Sequence, residues 1–248
     1  MLKRILVVLL LIGVLGAAVA GLMATPACPP IDDLSEYRPP QATRVYAMDG
    51  TRLADLSPER RTLVSLDDIP AIVRDGFVAV EDRRFWQHGG VDLHGIARAA
   101  WNNVRAMSLD EGFSTITMQL TRNVFPQELP RGDRFRRKIC EVRMAGAVED
   151  ALGKRRVLEL YVNQVYMGRG LYGVEEASRA LFGKPVSRVT VAEAALLVGL
   201  VKNPEGYNPR EHPARAIRRR NVVIDIFERE RLISHAEAEA AREMPLKL

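Results

Sequence analysis

Twenty consecutive apolar residues, Ile5 to Ala24, follow Lys3 and Arg4 without a charge among them. Coiled as a helix at ~1.5 Å per residue, such a run reaches across a hydrocarbon core of roughly 30 Å. Hydrocarbon offers the backbone no hydrogen-bond partner, and a single segment meets that condition only as a helix. The basic flank predicts a cytoplasmic N-terminus and sends everything after Thr25 to the far side of the membrane. The run is longer than the usual apolar region of a signal peptide. Its alanine-rich end leaves cleavage open, while Pro26 argues against reading Thr25-Pro26-Ala27-Cys28 as a lipoprotein cleavage site. The expectation is a retained single-pass anchor over residues 1–25.

From Cys28 to Gln41, four prolines and several charges describe a tether leading away from the bilayer, so residues 26–42 read as a linker. Thr43 to Leu56 then alternates around Asp49-Gly50, a pair suited to a tight hairpin turn. The 248 residues, 47% of them hydrophobic, suffice for an anchor and one globular domain, residues 43–248, with a real core. A formal charge of +5 and a pI near 9.4 favour an anionic partner: nucleic acid, a phospholipid surface or a phosphate-bearing substrate. Cys28 and Cys140 are far apart in dissimilar contexts, and neither a disulfide framework nor a Cys/His zinc spacing can be built from them.

Beyond Pro70 the signals are nearly all helical. An apolar run from Ile69 to Val80 opens at that proline. Asp92 can cap a helix from Leu93 to Met107, and Ser114 or Thr115 one that runs through Asn123. Asp133 opens another, closed near Leu152 by Gly153, and Arg155 to Tyr166 follows, ended by Gly168 and Gly170. Thr190 with Glu193, and Ser234 with Glu237, have the spacing of a capping box. Ala192 to Val201 is almost wholly apolar and is the best candidate for a central buried helix.

Chemistry concentrates after the first of these helices, at Val80-Glu81-Asp82-Arg83-Arg84-Phe85-Trp86-Gln87-His88-Gly89-Gly90. Continued as a helix, Glu81, Phe85 and His88 share one face at i, i+4 and i+7. A carboxylate on the buried side of an apolar helix costs several kcal/mol unless it is paired or used, which makes Glu81 the first catalytic candidate. Taken alone, His88 is a structural histidine more often than an acid or ligand. Ser114, Thr115 and Thr117 put three hydroxyls at a predicted helix start, where free N–H groups suit a phosphate or carboxylate as readily as they suit an ordinary cap. Arg134, Arg136, Arg137, Lys138 and Arg143 surround Glu141 with more cations than it can neutralise, which suits an external polyanion. Lys154 stands where the helix dipole disfavours a cation. Tyr161 is as well suited to the core as to a site.

Together these segments closely resemble the peptidoglycan glycosyltransferase domain of glycosyltransferase family 51, found in bifunctional penicillin-binding proteins and in monofunctional transglycosylases. The resemblance covers Thr43 to the C-terminus and five motifs in the family's order. Glu81-Asp82 with Phe85, His88 and Gly90 carries the first. Gly112, Ser114 to Thr117 and Gln119-Leu120 carry the second, and Arg137-Lys138 with Glu141 the third. Lys154, Leu158, Tyr161, Asn163, Tyr166 and Gly168 carry the fourth, and Arg220-Asn221-Val222 resembles the fifth. Three positions depart: Phe113 stands where the family usually has glycine, Met118 where glutamine is usual, and Glu111 is the third. The first residue of that segment, Glu111, replaces a glutamine.

The resemblance implies a mainly α, lysozyme-like helical lobe with a smaller membrane-associated jaw, the latter near Val124 to Phe135. It implies polymerisation of lipid II into β-1,4-linked glycan, with Glu81 as general base and release of undecaprenyl pyrophosphate. Arg122, Arg137 and Lys138 would receive the leaving diphosphate. Asp82, Phe85, His88, Ser114, Thr115, Thr117, Gln119, Asn123, Lys154, Tyr161, Asn163 and Tyr166 would complete the substrate site. Glu141 would assist catalysis, orienting the cations or holding a divalent ion, Mg2+ or Mn2+. The implied partners are lipid II, the growing lipid-linked glycan, the membrane and the cell-wall synthesis machinery, with no nucleic acid. The implied place is the extracytoplasmic face of the bacterial inner membrane. Two other readings compete: a lysozyme-like enzyme that cleaves glycan, and a scaffold that binds lipid II but is silenced at Phe113 and Met118.

Overall fold

The computed structural model describes residues 43–56, 59–106, 112–127, 129–130 and 132–248, with residues 13, 16, 28, 34 and 37–41 besides. The expected anchor lies outside the described residues apart from Gly13 and Gly16. Among the described residues, no helix is long and apolar enough to cross a membrane.

The expected hairpin is present: β1 (Arg44–Tyr46) pairs antiparallel with β2 (Arg52–Asp55). Its turn works because Gly50 takes a positive φ of 83° while the Asp49 carboxylate accepts from the Thr51 N–H at 2.9 Å. A second small sheet escapes sequence patterning because its strands are two or three residues long. There β5 (Leu171–Tyr172) lies between β3 (Arg60–Arg61) and β4 (Tyr166–Gly168).

Eight helices follow from α1 (Ala71–Glu81) among the described residues: α2 (Leu93–Ala106), α3 (Ile116–Val124), α4 (Arg134–Gln164), α5 (Val174–Phe182), α6 (Val191–Leu200), α7 (Pro213–Arg229) and α8 (His235–Glu243) complete the set. Both expected capping boxes form, Thr190 with Glu193 and Ser234 with Glu237. The α6 helix is the central one, buried from Ala194 through Leu200, with α1 and α7 packed on it. Gly76 lets the Phe227 ring come so close that a β-carbon there would sit 2.6 Å from it. At Gly153 the long α4 helix leaves helical geometry (φ 70°, ψ 158°), so the predicted stop becomes a kink between two consecutive helices.

Three expectations need correction. Glu81, Phe85 and His88 do not share a helix face, because α1 ends at Glu81 and Asp82 swings out at φ −156°. Phe85 begins one turn of 3-10 helix and drops fully into the core. Cys28 and Cys140 form a disulfide, with Cα atoms 5.5 Å apart across 112 residues of sequence. They meet in an apolar cluster with Leu129 and Met144, a proximity that no local pattern encodes. Finally, Val124 and Phe125 pack against the main core and Leu129 is buried, so these residues of the expected jaw face inward. Large apolar side chains left exposed include Trp86, Leu93, Trp101 and Phe113.

Candidate active site

Glu81 is delivered by the last residue of α1 to a groove of about 470 Å³, large enough for a sugar-sized ligand. Its Oε2 accepts from Gln119 Nε2 at 3.1 Å, and Gln119 Oε1 in turn accepts from the Tyr161 hydroxyl at 3.1 Å. Tyr161 is wholly buried on α4, so the relay is fixed from behind. Burial pushes the Glu81 carboxyl up. The Gln119 hydrogen bond and the fields of Arg219 and Lys202 oppose that rise, while neighbouring Asp82 adds to it. The result is an acid held above the usual carboxylate range beside open space, which is how a general base is tuned.

Asp82 lines the same groove beside Glu81 but is largely buried, and its carboxylate is taken up by protein partners. Its carboxylate accepts from the Ile116 N–H at 3.0 Å and faces His88 Nε2 at 2.9 Å. Asp82 thereby ties the end of α1 to the start of α3, the helix that carries Gln119. Thr115 caps α3, accepting from the Met118 N–H at 3.1 Å and donating to the Gly90 carbonyl at 2.6 Å. The Thr115 and Thr117 hydroxyls are therefore spent inside the protein: Thr117 donates to Glu149 at 2.7 Å. Lys154 meets the same Glu149 at 2.8 Å across the kink and lies over the Phe85 ring at 4.3 Å.

Ser114 is the hinge between the groove and the cationic cluster. It lines the groove with Glu81 and Phe113, and its hydroxyl accepts from Lys138 Nζ at 2.6 Å. Lys138 also meets Glu141 at 3.3 Å and lies 5.0 Å from the centre of the Phe113 ring. Arg122 and Arg137 approach the other Glu141 oxygen at 3.5 and 3.7 Å. Glu141 itself is 1% exposed, so three cations that would otherwise repel one another are gathered on one buried carboxylate. Burial pulls the Lys138 ammonium down, an effect that Glu141 opposes.

The fourth set of residues is mostly framework. The Asn163 amide donates to the carbonyls of Val64 and Glu159 and accepts from the Val64 N–H, each at 2.9 Å. The Tyr166 hydroxyl bonds to Glu205, away from the groove. Asn123 is half-buried on α3. Arg220 is buried and holds the end of the chain, donating to the carbonyls of Met244 at 2.7 Å and Arg242 at 2.9 Å. Met118 is fully buried, so that departure faces the core, whereas Phe113, 41% exposed, faces the groove. Sequence reasoning missed Lys202 and Arg219, whose charges act on Glu81, and the groove-lining Arg98 and Arg229. The run Arg218-Arg219-Arg220 was the one available signal for Arg219.

A carboxyl raised by burial lines the groove, and Ser114 on the same groove joins it to the gathered cations through Lys138. The sequence profile described as transglycosylase matches residues 49–228, and the chain belongs to that family. It is 42% identical to penicillin-binding protein 1A of Aquifex aeolicus over 245 residues, 96% of this chain and 33% of that protein. With penicillin-binding protein 1A of Neisseria gonorrhoeae the identity is 38% over 224 residues, 90% of this chain and 28% of the relative. The chain thus spans about a third of the length of these curated relatives. Among solved structures, penicillin-binding protein 1A from Haemophilus influenzae superposes with a TM-score of 0.50 at 25% identity, covering 84% of this chain and 21% of that one.

Proposed function

We propose that this chain polymerises lipid II into β-1,4-linked glycan strands, with Glu81 as the base. The carrying observation is the connection from Glu81's groove through Ser114 to Lys138 and the Arg122–Arg137–Glu141 cluster. The acceptor sugar's 4-hydroxyl gives its proton to Glu81, and its oxygen bonds to the donor's anomeric carbon. The bond from that carbon to the diphosphate breaks on the opposite face, so configuration inverts in one step and no enzyme nucleophile is needed. The electron pair leaves on the diphosphate, and the nearby cations stabilise the charge as it develops. Glu141 serves by holding those cations in place.

The family resemblance also brings a divalent cation. The Glu141 carboxylate already faces three cations, and among the described residues no group of three or more His, Cys, Asp or Glu gathers to hold a metal. These residues do not fit a protein-held ion.

The lipid-borne substrate places the site at a membrane. Supporting this are the apolar run from Ile5 to Ala24, the exposed Trp86, Leu93 and Trp101, and a disulfide of the kind that persists outside the reducing cytosol. Work alongside other cell-wall synthesis proteins belongs to the same proposal.

Glu81→Gln is expected to abolish polymer formation from lipid II while the far-UV spectrum and membrane attachment stay intact; near-normal chain growth would remove Glu81 from its role. Arg137→Ala and Lys138→Ala are expected to raise the KM for donor about tenfold or more with a smaller change in kcat. Unchanged kinetics would return both residues to a solvated face. Cleavage of preformed glycan by the parent chain, with no polymer from lipid II, would favour a hydrolytic enzyme instead.

A further inference from the structure

The Cys28–Cys140 disulfide joins two places whose distance matters for a membrane enzyme. Cys28 lies four residues after Ala24, the last residue of the apolar run. Cys140 lies on α4 directly before Glu141 and within one turn of Arg137 and Lys138. Both cysteines sit in the small cluster with Leu129 and Met144, apart from the main core. The crosslink therefore fastens the tether not to an arbitrary surface but to the helix that carries the cations.

We propose that this disulfide is a height clamp, setting how far the cation cluster stands from the bilayer that holds the donor; the proposal rests on the membrane reading above. Along the uncrosslinked chain, Ala24 is separated from the first strand at Arg44 by 20 residues, a reach of roughly 70 Å when extended. Through the disulfide the route is four residues, roughly 14 Å, plus the 5.5 Å between the cysteine Cα atoms. A donor whose diphosphate sits at the lipid surface is presented to a site at a local concentration set by that tether. Such a concentration falls as about the −3/2 power of tether length, so a tether about 3.6 times longer costs about sevenfold.

The test uses the full chain in anionic lipid vesicles with two donors, lipid II in the bilayer and a short-chain, water-soluble lipid II analogue. Cys28→Ser, Cys140→Ser, and reduction of the parent by a dithiol, which is itself oxidised to its disulfide, are each expected to slow polymerisation of the bilayer donor about sevenfold. Rates on the soluble analogue should not change. A Gly/Ser spacer of about sixteen residues between Ala24 and Thr25 of the oxidised protein should reproduce the loss. The same spacer between Asp32 and Asp33, inside the loop closed by the disulfide, should be silent. Equal losses on both donors, no loss on either, or a silent spacer at Ala24 would overturn the clamp. Failure of the parent to sediment with vesicles would overturn the anchor on which it rests, and is seen before any rate is measured. Absence of polymer from both donors would overturn the proposed activity instead.

Discussion

Glu81 occupies a position that favours chemistry over stability. Burial raises its pKa above the unfolded value, so the folded chain holds this proton more tightly than the unfolded one. Protonation then favours folding: the contribution of Glu81 is fully present below the unfolded pKa and is lost as pH rises through the folded one. A base must be ionised, so polymerisation should climb with pH over the same interval in which this contribution fades. We expect Glu81→Gln, although inactive, to be more resistant to urea than the parent at neutral pH, with the difference vanishing once pH falls below the unfolded pKa of a glutamate. Equal urea midpoints at both pH values would show that burial does not govern this carboxyl. Asp82 is the contrasting neighbour. One residue later in sequence, it is spent on the Ile116 N–H and on His88, and so ties the wall of the groove together.

Elements meet at this site through two glycines that are needed for different reasons. Gly90 has φ of 75°, and a β-carbon there would sit 2.6 Å from the Ala145 carbonyl on α4. Its own carbonyl receives the Thr115 hydroxyl that starts α3. Gly153 has φ of 70° but open space where a β-carbon would go, so only the backbone objects to a side chain. Gly153→Ala is accordingly expected to cost about 1–2 kcal/mol in chemical denaturation. Gly90→Ala, which adds a backbone clash to the same strain, should cost about 3 kcal/mol or more and disturb the α3 cap. Similar losses from both would show that the approach of α4 to Gly90 is loose. The helices themselves were legible because apolar periodicity, caps and glycine stops are local signals. The β3–β5–β4 sheet was not, since strands of two or three residues carry too little pattern to separate from loop.

At the scale of the molecule, a helical domain built on α6 holds its reactive groups together and carries one covalent link back to the chain's beginning. Closing 112 residues of sequence restricts the unfolded chain far more than the folded one, and loop-closure entropy puts the effect at about 4–5 kcal/mol. Reduction should therefore lower the melting temperature of the parent but leave that of Cys28→Ser unchanged; a parent insensitive to reductant would show that the thiols are not joined. The candidate site was legible as a set of residues, and its geometry was not. Gln119 bonds to Glu81, and Ser114, on the same groove as Glu81, bonds to Lys138, which with Arg122 and Arg137 surrounds Glu141, whereas Asn163 and Tyr166 bond within the framework. Residue type and spacing announce that a polar group will be used, but not whether a ligand or a neighbouring carbonyl uses it.

By itself the sequence determined where this chain would be helical, which helix would be innermost, and which acids and cations were too costly to be idle. Each of those rests on energies settled within a few turns of chain: periodic apolar burial, a hydroxyl on a free N–H, a glycine at positive φ. Tertiary structure alone decided that Asp82 is taken up by Ile116 and His88, that Glu141 is surrounded by three cations, and that Cys28 finds Cys140. Those outcomes depend on which distant segments return to the same place, and a buried charge or a thiol takes its role from whatever the fold has brought within about 4 Å of it.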